Sequence, residues 1–229
     1  MKPNCIIAAR SGSTRIPNKN IVNVYKKPLI TYAINLSIKS KIFKNVFVST
    51  DSKKIKKISE KCGAKVPQLR SKKLAKDRVG LQEVIVDFIK KNNLENEKYF
   101  VFVYATCSLL KKKMLIDAIK KFLNTKSDLL LSLQEFESSP LKAFKIKKNN
   151  RIEYYNQKFF KTDTKNLEKL YFHPGSFFIF KTKPFLNKSR NFTKKTTYYL
   201  HKKYEVIDVD FKEDLEQMMK LMKINNINV

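Results

Sequence analysis

Two short segments near opposite ends of the chain carry side chains suited to a charged phosphate. The first reads Ala9-Arg10-Ser11-Gly12-Ser13-Thr14-Arg15-Ile16-Pro17-Asn18-Lys19-Asn20, three cations, three hydroxyls and a glycine directly behind an apolar run. Backbone amides with Arg and Lys supply what a polyphosphate needs, hydrogen-bond donors and countercharge together. The segment is neither a Walker A loop, which needs Gly-Lys-Ser/Thr opening a helix, nor a dinucleotide fingerprint, which needs three glycines. The second segment is Val206-Ile207-Asp208-Val209-Asp210. Read as the end of a strand, it turns Asp208 and Asp210 to one side, where two carboxylates repel unless a cation sits between them. Mg²⁺ suits that place, because it takes one or two carboxylates and completes its shell with water and substrate phosphate. Each segment alone has a plain alternative, an ordinary basic turn and a solvated strand end. Together, at one sheet edge, they are the equipment for metal-assisted attack on a nucleotide phosphate.

A scaffold must bring the two segments together, and the apolar periodicity predicts one. Asn4 to Ala9 reads as a buried strand, followed by a helix with Pro28 at its start and Leu29, Ile30, Ala33, Ile34 and Ile38 on one face. Val46 to Ser49 is the next strand; Asp51 or Ser52 then caps a helix that carries Ile55, Ile58 and Cys62 and stops at Gly63. The pattern predicts a short strand over Ala64 to Pro67, a helix over Gly80 to Lys91, a strand over Tyr99 to Tyr104 and a helix carrying Leu115, Ala118, Ile119 and Phe122. Further strands are expected at Leu129 to Leu133, Gly175 to Phe180 and Tyr204 to Val209, with a last helix carrying Leu215, Met218, Met219 and Met222. Apolar strands alternating with helices define an α/β fold, a single doubly wound, mostly parallel sheet covered on both faces. Ligands then belong at the strands' carboxyl ends. Around 138–172 the rhythm breaks into Lys- and Asn-rich sequence with Phe144, Ile146, Ile152, Tyr154 and Tyr155, an inserted hairpin or subunit contact within one domain spanning 1–229.

Composition narrows the class. A chain of 229 residues that is 42% hydrophobic and 12% aromatic can bury a substantial core and is not a disordered tail. Three cysteines, Cys5, Cys62 and Cys107, make neither a disulfide framework nor a Cys-based zinc site, and no stretch reaches the roughly 18 apolar residues of a membrane span. A cytoplasmic protein without membrane contact is expected. The net charge of +29 is the footprint of a nucleic-acid binder. However, only six of the 49 basic residues are arginine, and Asn and Ile are also abundant. This is a drift of the whole chain toward Lys, Asn and Ile, so no specific nucleic acid is expected, and a basic nucleic-acid-binding protein stands as the competing class. Cys107 has no base marked near it and reads as packing; His173 and His201 lack metal-ligand spacing.

With these residues in view, the chain resembles the sugar-acid cytidylyltransferases, whose signature runs Ala-Arg-x-Gly-Ser-Lys-x-x-x-x-Lys-Asn. Val48-Ser-Thr-Asp51 and Gly63-Ala-Lys-Val-Pro-Gln-Leu-Arg70 are similar to that family's second and third strand ends. Tyr104-Ala-Thr106 resembles the version in the pseudaminic acid branch, and Ile207-Asp-Val-Asp210 with Glu213-Asp214 resembles the family's Asp-x-Asp. The matches run in order from residue 5 to about 220. The resemblance implies a nucleotide-diphospho-sugar transferase-like, Rossmann-like fold, a cytoplasmic homodimer, and a reaction of CTP with a nonulosonic sugar acid. The sugar's anomeric hydroxyl would attack the α-phosphate in line, releasing pyrophosphate and making a CMP-sugar for surface glycan or flagellin glycosylation. Pseudaminic acid is the sugar implied, with N-acetylneuraminate and legionaminate as alternatives. By resemblance Arg10, Ser13 and Lys19 meet the triphosphate, Asn20 and Arg70 the cytosine, and Tyr104 and Thr106 the nucleotide. Asp208 and Asp210 would hold Mg²⁺, Asp210 acting in catalysis with Arg10 and Lys19. His173, Gly175 and Ser176 would face the sugar. The chain departs from the family at Thr14, where Lys is usual and Arg15 supplies a cation next door, and at His173 and Ser176, which replace Asp and Gln. A degenerate transferase that only binds CTP is the third reading.

Overall fold

The computed structural model describes residues 2–187 and 195–227. Its centre is the parallel trio β1 (Asn4–Ala8), β4 (Val46–Ser49) and β5 (Tyr99–Tyr104), with β1 in the middle. Nearly every residue of these strands is buried, because helices cover both faces and neither face needs polar side chains. Beyond β5 come β10 (Phe177–Lys181), antiparallel to both its neighbours, then β6 (Leu129–Glu135) and, parallel to β6, the edge strand β11 (Thr196–His201). The sheet therefore runs β11-β6-β10-β5-β1-β4, with the two-residue β9 (Tyr171–Phe172) also pairing with β6. It is the mostly parallel α/β sheet that the apolar pattern predicts.

Alternation along the strands divides the core. Cys5 and Ile7 point to one face and pack with Val101, Val103 and Ile179 against α1 (Ile30–Ser40) and α4 (Lys112–Asn124), through Ile34, Leu115 and Phe122. Ile6 points the other way, into an aromatic cluster of Phe100, Phe102, Phe178 and Phe180 covered by Ile85 and Ile89 of α3 (Leu81–Lys91) and Phe185 of α5 (Thr182–Leu186). A third cluster joins the chain's two ends. It packs Ile16, Val24 and Leu29 against Val209 and against Met218 and Met222 of α6 (Lys212–Ile224), so those methionines are core, as their spacing predicts.

Some boundaries differ from the sequence expectations. The strand over Ala64 to Pro67 reduces to a single bridge between Phe47 and Lys65. The helix α2 (Lys53–Lys61) is capped by Ser52, whose side chain accepts from the Ile55 N–H. Pro28 lies outside α1, in a two-residue strand β3 (Lys27–Pro28) paired with β2 (Asn23–Val24). The largest correction concerns the last strand, which is β11 rather than Tyr204 to Val209. The edge position of β11 leaves Tyr198 and Leu200 exposed, which dilutes its apolar signal. The apolar run at 206–209 has another cause: Val206 and Val209 enter two different core clusters at a spacing of three, not the spacing of two a strand requires. Within 138–172 the chain forms the predicted hairpin, β7 (Phe144–Ile146) with β8 (Ile152–Tyr154), as a separate two-stranded sheet.

Candidate active site

Ala8 is level with Ser49 of β4 and with Tyr104 of β5, so the loops leaving all three strands emerge side by side. Above them opens a cleft of about 400 Å³. It lies at the carboxyl edge, where chain segments diverge and leave room for a ligand. Arg10, Lys19, Asn20, Arg70, Tyr104, Thr106, Asp208 and Asp210 all line it. The cationic loop and the paired acids thus share one cleft.

The loop behind β1 is clamped from several sides. Ser11 donates both its backbone N–H and its hydroxyl to Asp51, just past β4. Burial alone would raise the Asp51 carboxyl, but these bonds and the nearby Arg70 outweigh it and hold the group below its usual range. Asn20 donates from Nδ2 to the Arg10 carbonyl at 2.9 Å, closing the loop on itself. Asn18 makes the turn in a left-handed conformation, φ 55°, which Asn tolerates better than most residues. Buried Ile16 then pins the loop to the third core cluster.

The acidic wall is built around fully buried Val209, flanked by Asp208 and Asp210. Asp214, in the first turn of α6, accepts from the N–H groups of Asp210 at 2.9 Å and Phe211 at 2.8 Å, fixing the backbone that presents the acids. Lys19 joins the two walls, its Nζ 2.6 Å from the Val209 carbonyl and 3.1 Å from Asp210 Oδ1. Arg15 Nη2 lies 2.8 Å from the same carboxylate oxygen. Asp208 packs over Gly175, whose φ is +58° and where an added Cβ would stand 2.7 Å from Asp208 Oδ1. Lost hydration raises the Asp208 pKa, Asp210 pushes the same way, and Lys19 and His173 oppose. Asp208, which has no ion pair of its own among the described residues, and the neighbouring Asp210 offer oxygen donors that fit a hard divalent cation such as Mg²⁺, which would take its other ligands from water and phosphate. Among the described residues no group of three or more His, Cys, Asp or Glu offers another metal site.

Two more cations face the cleft. Arg10 pairs with Asp77, on the segment before α3. Both side chains are well exposed, so such a pair is worth under about 1 kcal/mol and yields readily to a competing anion. Arg70 is different: its side chain is 6% exposed, yet Asp51 is 3.8 Å away and Nε and Nη2 have no hydrogen-bond partner among the described residues. Burial lowers the guanidinium's pKa, partly offset by Asp51. A desolvated cation so incompletely paired has hydrogen bonds to offer a ligand.

Tyr104 forms the floor, its phenol pushed up to about 12 by burial and by Asp208. Behind it stands His173, Nε2 at 3.2 Å from Tyr104 Oη. Ser13, Arg15, His173, Gly175 and Ser176 are not on the cleft wall, although Arg15 reaches its edge through Asp210. Ser176 departs furthest from its expected role facing the sugar. It is fully buried, its hydroxyl bonded to Ser132 and His201, because its carbonyl accepts from the Tyr104 N–H and draws the residue into the sheet. Cys107 is core, with its thiol pushed up to about 12 by burial. Asp51 and Asp77 are further functional residues, as partners of the cationic loop and of Arg70. Asp51 had a signal in its place directly after a buried strand; Asp77 had none.

Cations facing acids across the strands' carboxyl edge are the equipment of a nucleotidyltransferase, and the comparisons with known proteins return that class of enzyme. The chain belongs to the cytidylyltransferase family, whose sequence model matches residues 4–228. It is 35% identical over 228 residues to the pseudaminic acid cytidylyltransferase of Campylobacter jejuni, covering 99% of this chain and 98% of that protein. It is 31% identical to the N-acylneuraminate cytidylyltransferase of Streptococcus agalactiae, over 93% of this chain and 52% of that protein. Among solved structures, a CMP:2-keto-3-deoxy-manno-octonic acid synthetase complexed with CTP superposes with a TM-score of 0.73 over 98% of this chain and 100% of that one. At 14% identity this likeness is one of fold.

Proposed function

We propose that the protein transfers CMP from CTP to the anomeric hydroxyl of a nonulosonic sugar acid, releasing pyrophosphate, and that pseudaminic acid is the sugar. The observation that carries this reading is the single cleft in which Arg10 and Lys19 face Asp208 and Asp210 while the incompletely paired guanidinium of Arg70 lines the same space. The 35% identity to a pseudaminic acid cytidylyltransferase over nearly the whole chain supports the choice of sugar.

Each residue has work that its position allows. Arg10 exchanges Asp77 for the triphosphate, and Lys19 neutralises charge that builds on the leaving pyrophosphate. Arg15 adds a cation beside the acids, where Thr14 brings none. Arg70 and Asn20 offer donors and an amide to the pyrimidine edge. Asp208 and Asp210 would hold Mg²⁺, which when bound would screen the phosphate charges. With charge neutralised and the α-phosphate held in line, positioning supplies much of the remaining rate.

Incubation with CTP, Mg²⁺ and purified pseudaminic, legionaminic and N-acetylneuraminic acids, with pyrophosphate detection, tests the reading. Turnover is expected with pseudaminic acid first; silence with all three overturns it. Asp210→Asn should lower turnover by roughly 100-fold or more with melting temperature unchanged, on the scale of losing a group that acts in the transition state. Unaltered turnover would remove Asp210 from the mechanism.

A further inference from the structure

A line of hydrogen bonds runs from the cleft floor into the sheet, and its direction can be read from groups that only donate or only accept. His173 Nδ1 lies 2.7 Å from the Ser132 carbonyl, which can only accept, so the ring carries its hydrogen on Nδ1. In the neutral ring Nε2 is then a bare lone pair, to which the Tyr104 hydroxyl at 3.2 Å donates. Further in, Ser132 Oγ receives the Phe177 N–H at 3.4 Å and faces His173 Nδ1 at 3.3 Å. Its own hydrogen is therefore free for Ser176 Oγ at 2.7 Å, and that of Ser176 goes on to His201 Nε2 at 2.8 Å. The line ends with His201 Nδ1, which has no hydrogen-bond partner among the described residues and lies 3.9 Å from Glu205 Oε2.

Every donor in this line faces away from the cleft. We propose that His201 is a positioning residue: by drawing the hydrogens of Ser176 and Ser132 toward itself it leaves Ser132 Oγ turning lone pairs to the His173 Nδ1–H that the Ser132 carbonyl already holds, and so reinforces the polarity in which Tyr104 Oη meets the substrate as a hydrogen-bond acceptor. The partner it selects is a donor, a hydroxyl or amide N–H of the sugar acid, and phosphate oxygens, which only accept, are excluded from that spot. The cleft is thereby divided between an anion-binding side at Arg10 and Lys19 and a donor-binding side at Tyr104.

The chemical state of the groups agrees. Burial and the neighbouring His173 depress the His201 pKa to about 4, so the ring is neutral and able to accept at Nε2. The Tyr104 phenol, pushed up to about 12, keeps the hydrogen that it gives to His173. A charged His201 would donate from both nitrogens and reverse the line.

This inference rests on the proposed function for the identity of the ligand, but its polarity can be tested separately. The chain has two histidines, so ¹⁵N-histidine labelling of the whole protein gives two rings to read by long-range ¹H–¹⁵N correlation. Both should be Nδ1–H at neutral pH; an Nε2–H form of His173 overturns the proposal whatever the turnover. In the kinetic arm, Tyr104→Phe should raise KM for the sugar acid about tenfold, the scale of one lost hydrogen bond, with KM for CTP held. His201→Phe should do the same and disturb the His173 signal. His201→Gln, whose amide reaches the place of Nε2, should restore both readouts, and His201→Asn, which is too short, should not. A rise in KM for CTP in Tyr104→Phe, or equal behaviour of the Gln and Asn variants, overturns it. Absence of pyrophosphate from every sugar acid with wild-type protein defeats the function and the named ligand together, while the labelled rings still decide the polarity.

Discussion

At Gly175 a missing side chain and a positive φ serve one purpose, to let Asp208 lie flat against the backbone. Gly175→Ala places a methyl 2.7 Å from Asp208 Oδ1 on a backbone that disfavours it. It should cost about 1 to 2 kcal/mol in denaturant unfolding, and it should weaken the divalent-ion dependence of turnover. His201 makes a second residue-scale prediction. Its folded pKa, about 4, lies below the ordinary value of 6.5, so between those limits the unfolded chain binds more protons. Stability should therefore be level above pH 6.5 and fall as the pH drops toward 4, by up to about 3 kcal/mol. Chemical melts of wild type and His201→Gln across that range should show a smaller drop in the variant. Much at this scale was legible beforehand: Arg10, Lys19 and the two acids stand out by their types and places in the chain, Arg70 only through the family resemblance, and all five line the cleft. The hydrogen-bonded line behind Tyr104 was not, because nothing in the spacing of Ser132, His173, Ser176 and His201 says that β6, β11 and the connection between β9 and β10 bring them together.

Among the elements, α6 ties the acidic wall to the rest of the fold. Its first turn leaves donors unpaired, and Asp214 satisfies two backbone N–H groups, one of them that of Asp210. Asp214→Ala should lower stability by about 1 kcal/mol, as loss of a helix cap does, and turnover by roughly 10- to 100-fold through misplacement of Asp210. A merely structural cap would show the first effect without the second in enzyme assayed well below its melting temperature. The central strands and helices were legible from apolar runs because both faces of the sheet are buried. The last strand was not, since β11 has an exposed edge and the decoy at 206–209 draws its apolar residues from two separate core clusters.

For the molecule as a whole, the positive charge is carried by lysines on every long helix, for example Lys39, Lys57, Lys90, Lys120 and Lys220, and not by one face alone. That distribution fits a compositional drift better than a groove for nucleic acid. No helix among the described residues is long and apolar enough to cross a membrane. The hairpin of β7 and β8 is the surface that stands out: Ile146 is 81% exposed and Ile152 65%, with Phe144, Tyr155 and Phe160 exposed beside them. We propose that this patch closes a homodimer, since apolar clusters of this kind on a surface mark contact sites. Sedimentation should give a dimer for the wild type and a monomer for the double variant Ile146→Lys, Ile152→Lys, with far-ultraviolet circular dichroism preserved. A monomeric wild type would refute it.

The bond from Lys19 to the Val209 carbonyl spans 190 positions in the chain. During synthesis, then, the parallel trio can dock while the catalytic chamber still lacks a wall. A polypeptide released before Asp208 would have a largely complete sheet but none of the paired acids that answer Lys19 and Arg15. Nucleotide capture is thus among the last properties the growing molecule acquires, and a ligand that stabilises the finished enzyme should do little for such an early fragment.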